Sequence, residues 1–241
     1  TVAEIAGELG PGLYKAACAA KIDGQVCDLR TPVDHDCEVA ILTFEDKDGA
    51  HAFNHTASHM LAQAVKRLYP EAKLAIGPAI DGGFYYDFDV EKPFTPEDLT
   101  KLEAEIKKIA KEDLPLERLE VSAAEAEQQM ADAGEIYKVE LCREHAEKGD
   151  TITLYRQGEF CDLCAGPHLM KTGVVKAVKL TQSTGAYWRG DAKGVRLCRV
   201  YGTAFPKASL LEAHLAQLEE AKKRDHNKIG RDLEYFTTVD V

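Results

Sequence analysis

Between residues 54 and 70 the apolar side chains Ala57, Met60, Leu61, Ala64, Val65 and Leu68 recur at i, i+3 and i+4. A helix with that stripe needs a core along one side. Asn54 suits its N-cap and Pro70 its stop. The surrounding chain offers partners of both kinds. Residues 74–80 and 84–89 flank Asp81-Gly82-Gly83, a hairpin signal, and Thr95-Pro96-Glu97 opens a helix with Leu99, Leu102, Ile106 and Ile109 on one face. Ser122-Ala123-Ala124-Glu125 has the form of a capping box, and Gly134 closes the short helix it opens. Beyond Ile136 the runs 137–141, 151–155, 174–180 and 195–201 read as short strands. After Pro206 a long helix carrying Leu210, Leu211, Leu215 and Leu218 runs into Lys222-Lys223-Arg224, cations that suit a helix C-terminus, and stops at Gly230. The fold class is α+β, with antiparallel sheet and helices.

Residues 1–46 read as a module of their own. Segments 16–22 and 25–29 flank Asp23-Gly24, the strongest short hairpin signal, and 38–44 is a third run of β-formers. The polar run Glu45-Asp46-Lys47-Asp48-Gly49 marks a boundary. With 241 residues, 45% hydrophobic and 29% charged, the chain is large enough for one or two real cores. No window approaches the ~20 apolar residues of a membrane helix, and the first ten residues lack the basic start and apolar run of a signal peptide. A cytoplasmic location is expected. Seven cysteines, an odd number without secretory context, are expected to be reduced thiols. A net charge of -11 argues against indiscriminate nucleic-acid binding through a global positive field. From residue 171 to 200, however, seven basic residues face Asp191 alone, which leaves a local anion-binding surface or a solvated strand face as readings.

Two clusters carry chemistry. His55-Thr56-Ala57-Ser58-His59 places two imidazoles at i and i+4, ~40° apart in helical projection, where they can share one ligand. The apolar stripe centres near Ala57 and Leu68, so His55 and His59 fall on the opposite face, toward solvent or a cleft. A place in the first turns of the helix would favour neutral imidazole. The second cluster is Phe160-Cys161-Asp162-Leu163-Cys164-Ala165-Gly166-Pro167-His168. Its C-x-x-C spacing could signal zinc or redox chemistry. An extended segment would instead put Asp162 and Cys164 on one face and Cys161 on the other. The Ala-Gly-Pro turn would then swing His168 back beside Cys164. His55, His59, Cys164 and His168 make a full tetrahedral set for zinc, with accidental pairing of buried cysteine and histidine as the competing explanation.

This arrangement resembles the editing domain shared by threonyl- and alanyl-tRNA synthetases. Further stretches look like the threonyl branch: Ala75-Ile76-Gly77-Pro78 leading to Gly83-Phe84-Tyr85-Tyr86-Asp87, then Gly185-Ala186-Tyr187-Trp188-Arg189-Gly190-Asp191, and Tyr201-Gly202-Thr203-Ala204. The hairpin-bearing start resembles the ubiquitin-like TGS domain with its first strand missing, and Arg224-Asp225-His226-Asn227-Lys228-Ile229-Gly230 looks like the threonyl linker. The similarity covers nearly the whole chain. It implies a β-grasp module at 1–46, an editing domain at 47–206, a linker helix at 207–232 and the start of an aminoacylation core at 233–241.

The resemblance also implies a function: hydrolysis of serine from mischarged threonine tRNA. A pocket can use one methyl for only ~1–3 kcal/mol of discrimination, so a second site that admits serine and excludes threonine supplies the rest. By resemblance His55 and Lys138 handle water and protons, Asp162 holds the seryl amine or hydroxyl, and His59, Cys164 and His168 shape the pocket. Gly77, Pro78 and Tyr86 lie against the amino acid or adenosine, while Trp188 and Arg189, with Lys193, meet the acceptor end. From sequence, Lys138 sits in a strand-like run. The alanyl branch holds zinc in the quartet and the threonyl branch works without a required metal, so no cofactor is expected for editing. ATP, a core zinc, and a homodimer interface belong to a catalytic core beyond Val241. tRNA is the expected partner, and no membrane is. Two rivals remain: a zinc-stabilised binding module without catalysis, and a free-standing deacylase acting in trans.

Overall fold

The computed structural model describes residues 1–224. The expected helix end at Gly230, the rest of the linker and the segment 233–241 lie outside the described residues. Local chemistry sets the first module. Asp23 (φ 49°) and Gly24 (φ 82°) both occupy the left-handed region, the turn geometry that matches strand twist. They join β1 (Ala17–Ile22) to β2 (Gln25–Cys27), and β3 (Val39–Thr43) pairs antiparallel on the other side of β1. The chain starts in helix, which the sequence reading did not include. α1 (Val2–Leu9) is closed by a reciprocal capping box between Thr1 and Glu4, and α2 (Pro11–Ala16) follows. Val2 and Ala3 pack on Ala17, Ala20 and Leu29, so the module is a small β-grasp sheet with a helix laid on it.

The central helix, α3 (Lys47–Leu68), begins before Asn54, inside the expected polar break. That run is ordered by the strand before it. Asp46 Oδ2 accepts from the Thr43 N–H at 2.7 Å, and Gly49 lies so close under Thr43 that a Cβ would sit 1.9 Å from its carbonyl oxygen. Asn54 is therefore no cap. Its amide donates to Ala50 O at 3.0 Å and accepts from the Ala204 N–H at 3.2 Å, tying the helix to a strand.

The remaining elements are β4 (Lys73–Leu74), β5 (Ala79–Ile80), β6 (Gly83–Asp89), α4 (Pro96–Glu112), β7 (Leu116–Val121), α5 (Ala123–Asp132), α6 (Ile136–Lys148), β8 (Ile152–Gln157), β9 (Phe160–Leu163), β10 (Ala177–Tyr187), β11 (Arg196–Phe205) and α7 (Ala208–Lys223). The expected capping box at Ser122 and Glu125 is formed, and another pairs Thr95 with Asp98. One antiparallel sheet has the order β10-β11-β6-β4, with β5 also on β6, and a second has the order β7-β8-β9. The α3 stripe packs on the first sheet: Ala57, Met60, Leu61, Ala64 and Val65 share a core with Phe84, Tyr86 and Phe88 of β6, Val200 of β11 and Leu102, Ile106 and Ile109 of α4. Leu68, expected in that stripe, is 39% exposed. The opposite side of α3 is covered too, because Thr56, Ser58, His59 and Gln63 are all buried.

One expected strand is a helix. Residues 137–141 lie in α6, which buries Tyr137, Lys138 and Cys142. Ile136, Tyr137 and Val139 favour strands as isolated residues, but packing against α5 and β8 decides between the two. Among the described residues no helix is long and apolar enough to cross a membrane.

Candidate functional site

Three segments converge on a cavity of about 380 Å³: α3 through His55 and His59, the β9 strand with its following turn through Asp162, Cys164 and Gly166, and α6 through Lys138, Leu141 and His145. Gly77 and Pro78 complete the wall. All four residues of the histidine–cysteine quartet are together, their ligand atoms within 4.8 Å of one another. Cys164 Sγ lies 3.2 Å from His55 Nε2 and 3.2 Å from His168 Nε2. The His55 and His168 rings stack at 4.1 Å between centroids, and His59 meets His168 at 4.3 Å.

Thr56 sets the tautomer of His168. Its hydroxyl donates to Ala52 O at 3.0 Å, so toward His168 Nδ1, 3.2 Å away, it is left to accept. Nδ1 then carries the proton, and the bare Nε2 faces the thiol. Thr56 stands inside His55-Thr56-Ala57-Ser58-His59 and was not singled out from sequence. The signal was there: a hydroxyl between two histidines at helical spacing faces neither the same stripe nor bulk solvent. Ser58 beside it donates to Gly77 O at 2.7 Å and fixes that wall.

Burial dominates the electrostatics. It pushes the His55 imidazole down to about 3, helped by His59 and His51, and the His59 imidazole down to about 4. His168 is lowered as well, first by burial and then by the other two rings. The expected cause, a place in the first helical turn, is wrong, since α3 starts at Lys47 and His55 sits well inside it. The neutral form follows from desolvation instead. Burial also pushes the Cys164 thiol up to about 12, so it is not a ready thiolate. The Nδ1 atom of His59 is buried with no hydrogen-bond partner among the described residues, as suits an atom that meets a ligand.

At the cavity floor lies a buried charge cluster. Lys138 Nζ is 2.7 Å from Asp162 Oδ1, and Tyr86 donates to Asp162 Oδ2 at 2.6 Å. Burial alone would raise the Asp162 carboxyl, but Lys138, His59 and the Tyr86 hydrogen bond outweigh it and hold it below the usual carboxylate range. Tyr86 is itself pushed well above its ordinary range by burial, then by Asp162. Its ring is also why position 77 is glycine, since a Cβ there would come within 2.0 Å of the ring. Asp162 and Cys164 line the cavity, whereas Cys161 lines a separate pocket with Gln63, Met130 and Glu159.

Trp188, Arg189 and Lys193 are not brought into the cavity. The Trp188 ring rests on Tyr137 at 4.9 Å between centroids, its indole N–H donates to Glu140, and Arg189 pairs with Glu140 and Glu144 on the outer face of α6. His145, missed from sequence, lines the cavity with Lys138 and Leu141 at i, i+3 and i+7. The strand reading of 137–141 hid that spacing.

The donor set bears on a metal. A tetrahedral zinc with bonds of ~2.0–2.3 Å needs ligand atoms roughly 3.3–3.8 Å apart. The fixed His168 tautomer suits such an ion, whereas the two 3.2 Å contacts to Cys164 are shorter than that spacing and the set as a whole spreads to 4.8 Å, so the quartet is gathered but not drawn to tetrahedral zinc distances.

Comparison with known proteins gives two family matches. Residues 1–43 match the TGS domain, and residues 152–201 match the threonyl and alanyl tRNA synthetase second additional domain, which contains Asp162, Cys164 and His168. The chain is similar to the threonine–tRNA ligases of Clostridium tetani (57% identical over 98% of this chain) and Clostridium perfringens (58% over 99%). That of Acetivibrio thermocellus is 56% identical over 98% of the chain. The chain spans 37%, 36% and 37% of the length of these three relatives, respectively. The chain thus carries a region matching the threonyl and alanyl tRNA synthetase second additional domain, behind a region matching the TGS domain.

Proposed function

We propose that this chain is the proofreading region of a threonine–tRNA ligase and that its cavity hydrolyses serine from mischarged threonine tRNA. The observation that carries the reading is the convergence of His55, His59, Lys138, Asp162 and Cys164 on one cavity of about 380 Å³. We further propose that residues 1–46 form the TGS-like module, 47–206 the editing domain and 207–232 the linker. ATP and the homodimer interface belong to the remainder of such a ligase.

The reaction is attack of water on the ester carbonyl carbon, with cleavage of the bond to the ribose oxygen of the terminal adenosine. Covalent catalysis by Cys164 is disfavoured, because burial pushes the thiol up and keeps it protonated near neutral pH. Water must then be the nucleophile. His55, kept neutral because burial holds it down at about 3, accepts the hydrogen bond of the attacking water and hands its proton on to the departing ribose oxygen. Lys138 supplies the positive charge for the developing oxyanion, and Asp162 retains acceptor capacity for the seryl ammonium. Gly77 and Pro78 form the wall against the amino acid or the adenosine, with Tyr86 behind them.

A metal-dependent form of the same reading rests on the quartet. His55, His59, Cys164 and His168 would hold the ion, which would acidify a bound water to near neutral. The metal-free form is preferred here because it needs no group beyond this chain. The deciding experiment measures deacylation of seryl- and threonyl-tRNA for threonine side by side. Seryl-tRNA is expected to be hydrolysed at least about tenfold faster, and equal rates would remove the sieve.

A further inference from the structure

The turn carrying Cys164 and His168 is backed by residues of the first module. We infer that Asp28 and Arg30 are positioning residues for the editing cavity, so that the TGS domain holds the catalytic turn of its neighbour in register. The inference rests on the function proposed above.

Asp28 lies just after β2 and is 6% exposed. Its two oxygens divide between the modules. Oδ1 accepts from the Arg30 N–H at 3.0 Å and from Arg30 Nη1 at 2.7 Å, within its own module. Oδ2 accepts from the Tyr155 hydroxyl at 3.0 Å and from the His168 N–H at 3.3 Å, across the junction. Tyr155 is buried on β8, and its ring meets the edge of the His168 imidazole at 4.5 Å between centroids. The same hydroxyl would be 2.3 Å from a Cβ on Gly166. Arg30 continues the grip. Its guanidinium donates to the carbonyls of His168, Leu169 and Met170, at 3.5, 2.9 and 3.2 Å, and to that of Leu116. Three successive carbonyls and one N–H of the segment leaving the site are thus held by two side chains separated from it by more than a hundred positions.

A backbone segment held at four points has little freedom to shift, and His168 Nε2 lies 3.2 Å from Cys164 Sγ at the cavity. A misplacement of about 1 Å at a reacting centre costs on the order of 10²-fold in rate. Neither residue touches the cavity, so the effect passes through His168 and its turn.

Asp28→Asn is the sharpest test. An amide keeps the shape but has one acceptor oxygen, so either Arg30 or the Tyr155–His168 pair loses its partner. The whole chain is used. The kcat for seryl-tRNA hydrolysis is expected to fall about 10- to 100-fold with KM within about twofold, as for partners that orient a functional group. Amide hydrogen exchange across residues 164–170 is expected to rise at least about tenfold while α4 and β6 exchange as in the parent. Tyr155→Phe removes only the hydroxyl and is expected to move both readouts in the same direction; it decides the matter if Asp28→Asn does not fold. Together the two substitutions should be less than additive. Unchanged exchange at 164–170 in both variants overturns the inference. So does faster exchange without any loss of kcat in an active parent. A parent inactive on seryl-tRNA would defeat the proposed function alone, since exchange still reports whether the turn is held.

Discussion

The two faces of α6 carry the two places where the sequence pointed to tRNA, and they are built on opposite physical terms. On the inner face Lys138 pairs with Asp162 with side chains 4% and 1% exposed. On the outer face Arg189 pairs with Glu140 with side chains 44% and 48% exposed. A buried pair cannot be broken one partner at a time without leaving a desolvated charge, which costs ~3–5 kcal/mol, whereas an exposed pair is worth ~0–1 kcal/mol. The inner pair is therefore a permanent part of the fold. The outer pair is exchangeable: Arg189 can leave its glutamates for a phosphate at little cost. Under the proposed function, burial rather than residue type would separate a cation used in the reaction from one used to meet a phosphate.

The sharpest way to break this comparison is at the inner site. His55→Ala is expected to lower the rate on seryl-tRNA by ~10²- to 10⁴-fold, the usual loss for a positioned proton-handling group, with far-UV circular dichroism unchanged and melting within a few degrees of the parent. Zinc analysis of the same preparations separates the two forms of the proposal. Stoichiometric zinc lost together with activity would make the quartet a metal site, while a zinc-free active parent supports water held by side chains.

A smaller effect tests which face of β9 matters. Cys164→Ala is expected to slow hydrolysis about 10- to 100-fold because His55 and His168 both lose their common partner. Cys161→Ser, on the far side, should leave the rate within about twofold. A reversed ranking would mean that the wrong cysteine has been assigned to the cavity.

Acid should weaken the inner site selectively. His55 and His59 are neutral when folded down to about 3 and about 4, whereas in the unfolded chain they take up protons near 6.5. Their contribution is fully present above pH 6.5 and is lost as pH falls toward those values. The melting temperature of the parent should drop between pH 6.5 and 4.5, and His55→Gln should show a shallower slope. Equal slopes would show that the His55 ring is not buried as a neutral group.

The least effect is expected at the outer face. Arg189→Ala should raise KM for seryl-tRNA only about two- to fivefold with kcat unchanged, and should lower the salt dependence of binding by roughly one phosphate contact. A large fall in kcat would erase the distinction between the two faces of α6.

Much of the fold was written in short-range patterns. The Asp23-Gly24 and Asp81-Gly82 turns, the helix start at Thr95, the capping box at Ser122 and all of the α3 stripe but Leu68 each need only a few neighbouring residues to be recognised, and each appears in the structure. The quartet was legible for the same reason, as two local pairs at i, i+4 spacing. What failed were residues whose conformation is decided by distant partners. Residues 137–141 carry strand-forming side chains but form a helix, and Asn54 looks like a cap but bridges to Ala204. Reading Lys138 on a strand also concealed His145, which reaches the cavity only through helical spacing.

The sequence by itself determined the tight turns, the apolar stripe of α3, the charge excess around Trp188 and which chemical groups were available. Tertiary structure alone decided their states. Whether an imidazole is neutral, a thiol inert or a lysine paired depends on how much water the fold removes and which charges it places within a few ångströms, and neither quantity is local along a chain. The meeting of Asp28 with His168 belongs to the same class: it exists only because two modules pack, and no spacing of residues announces it.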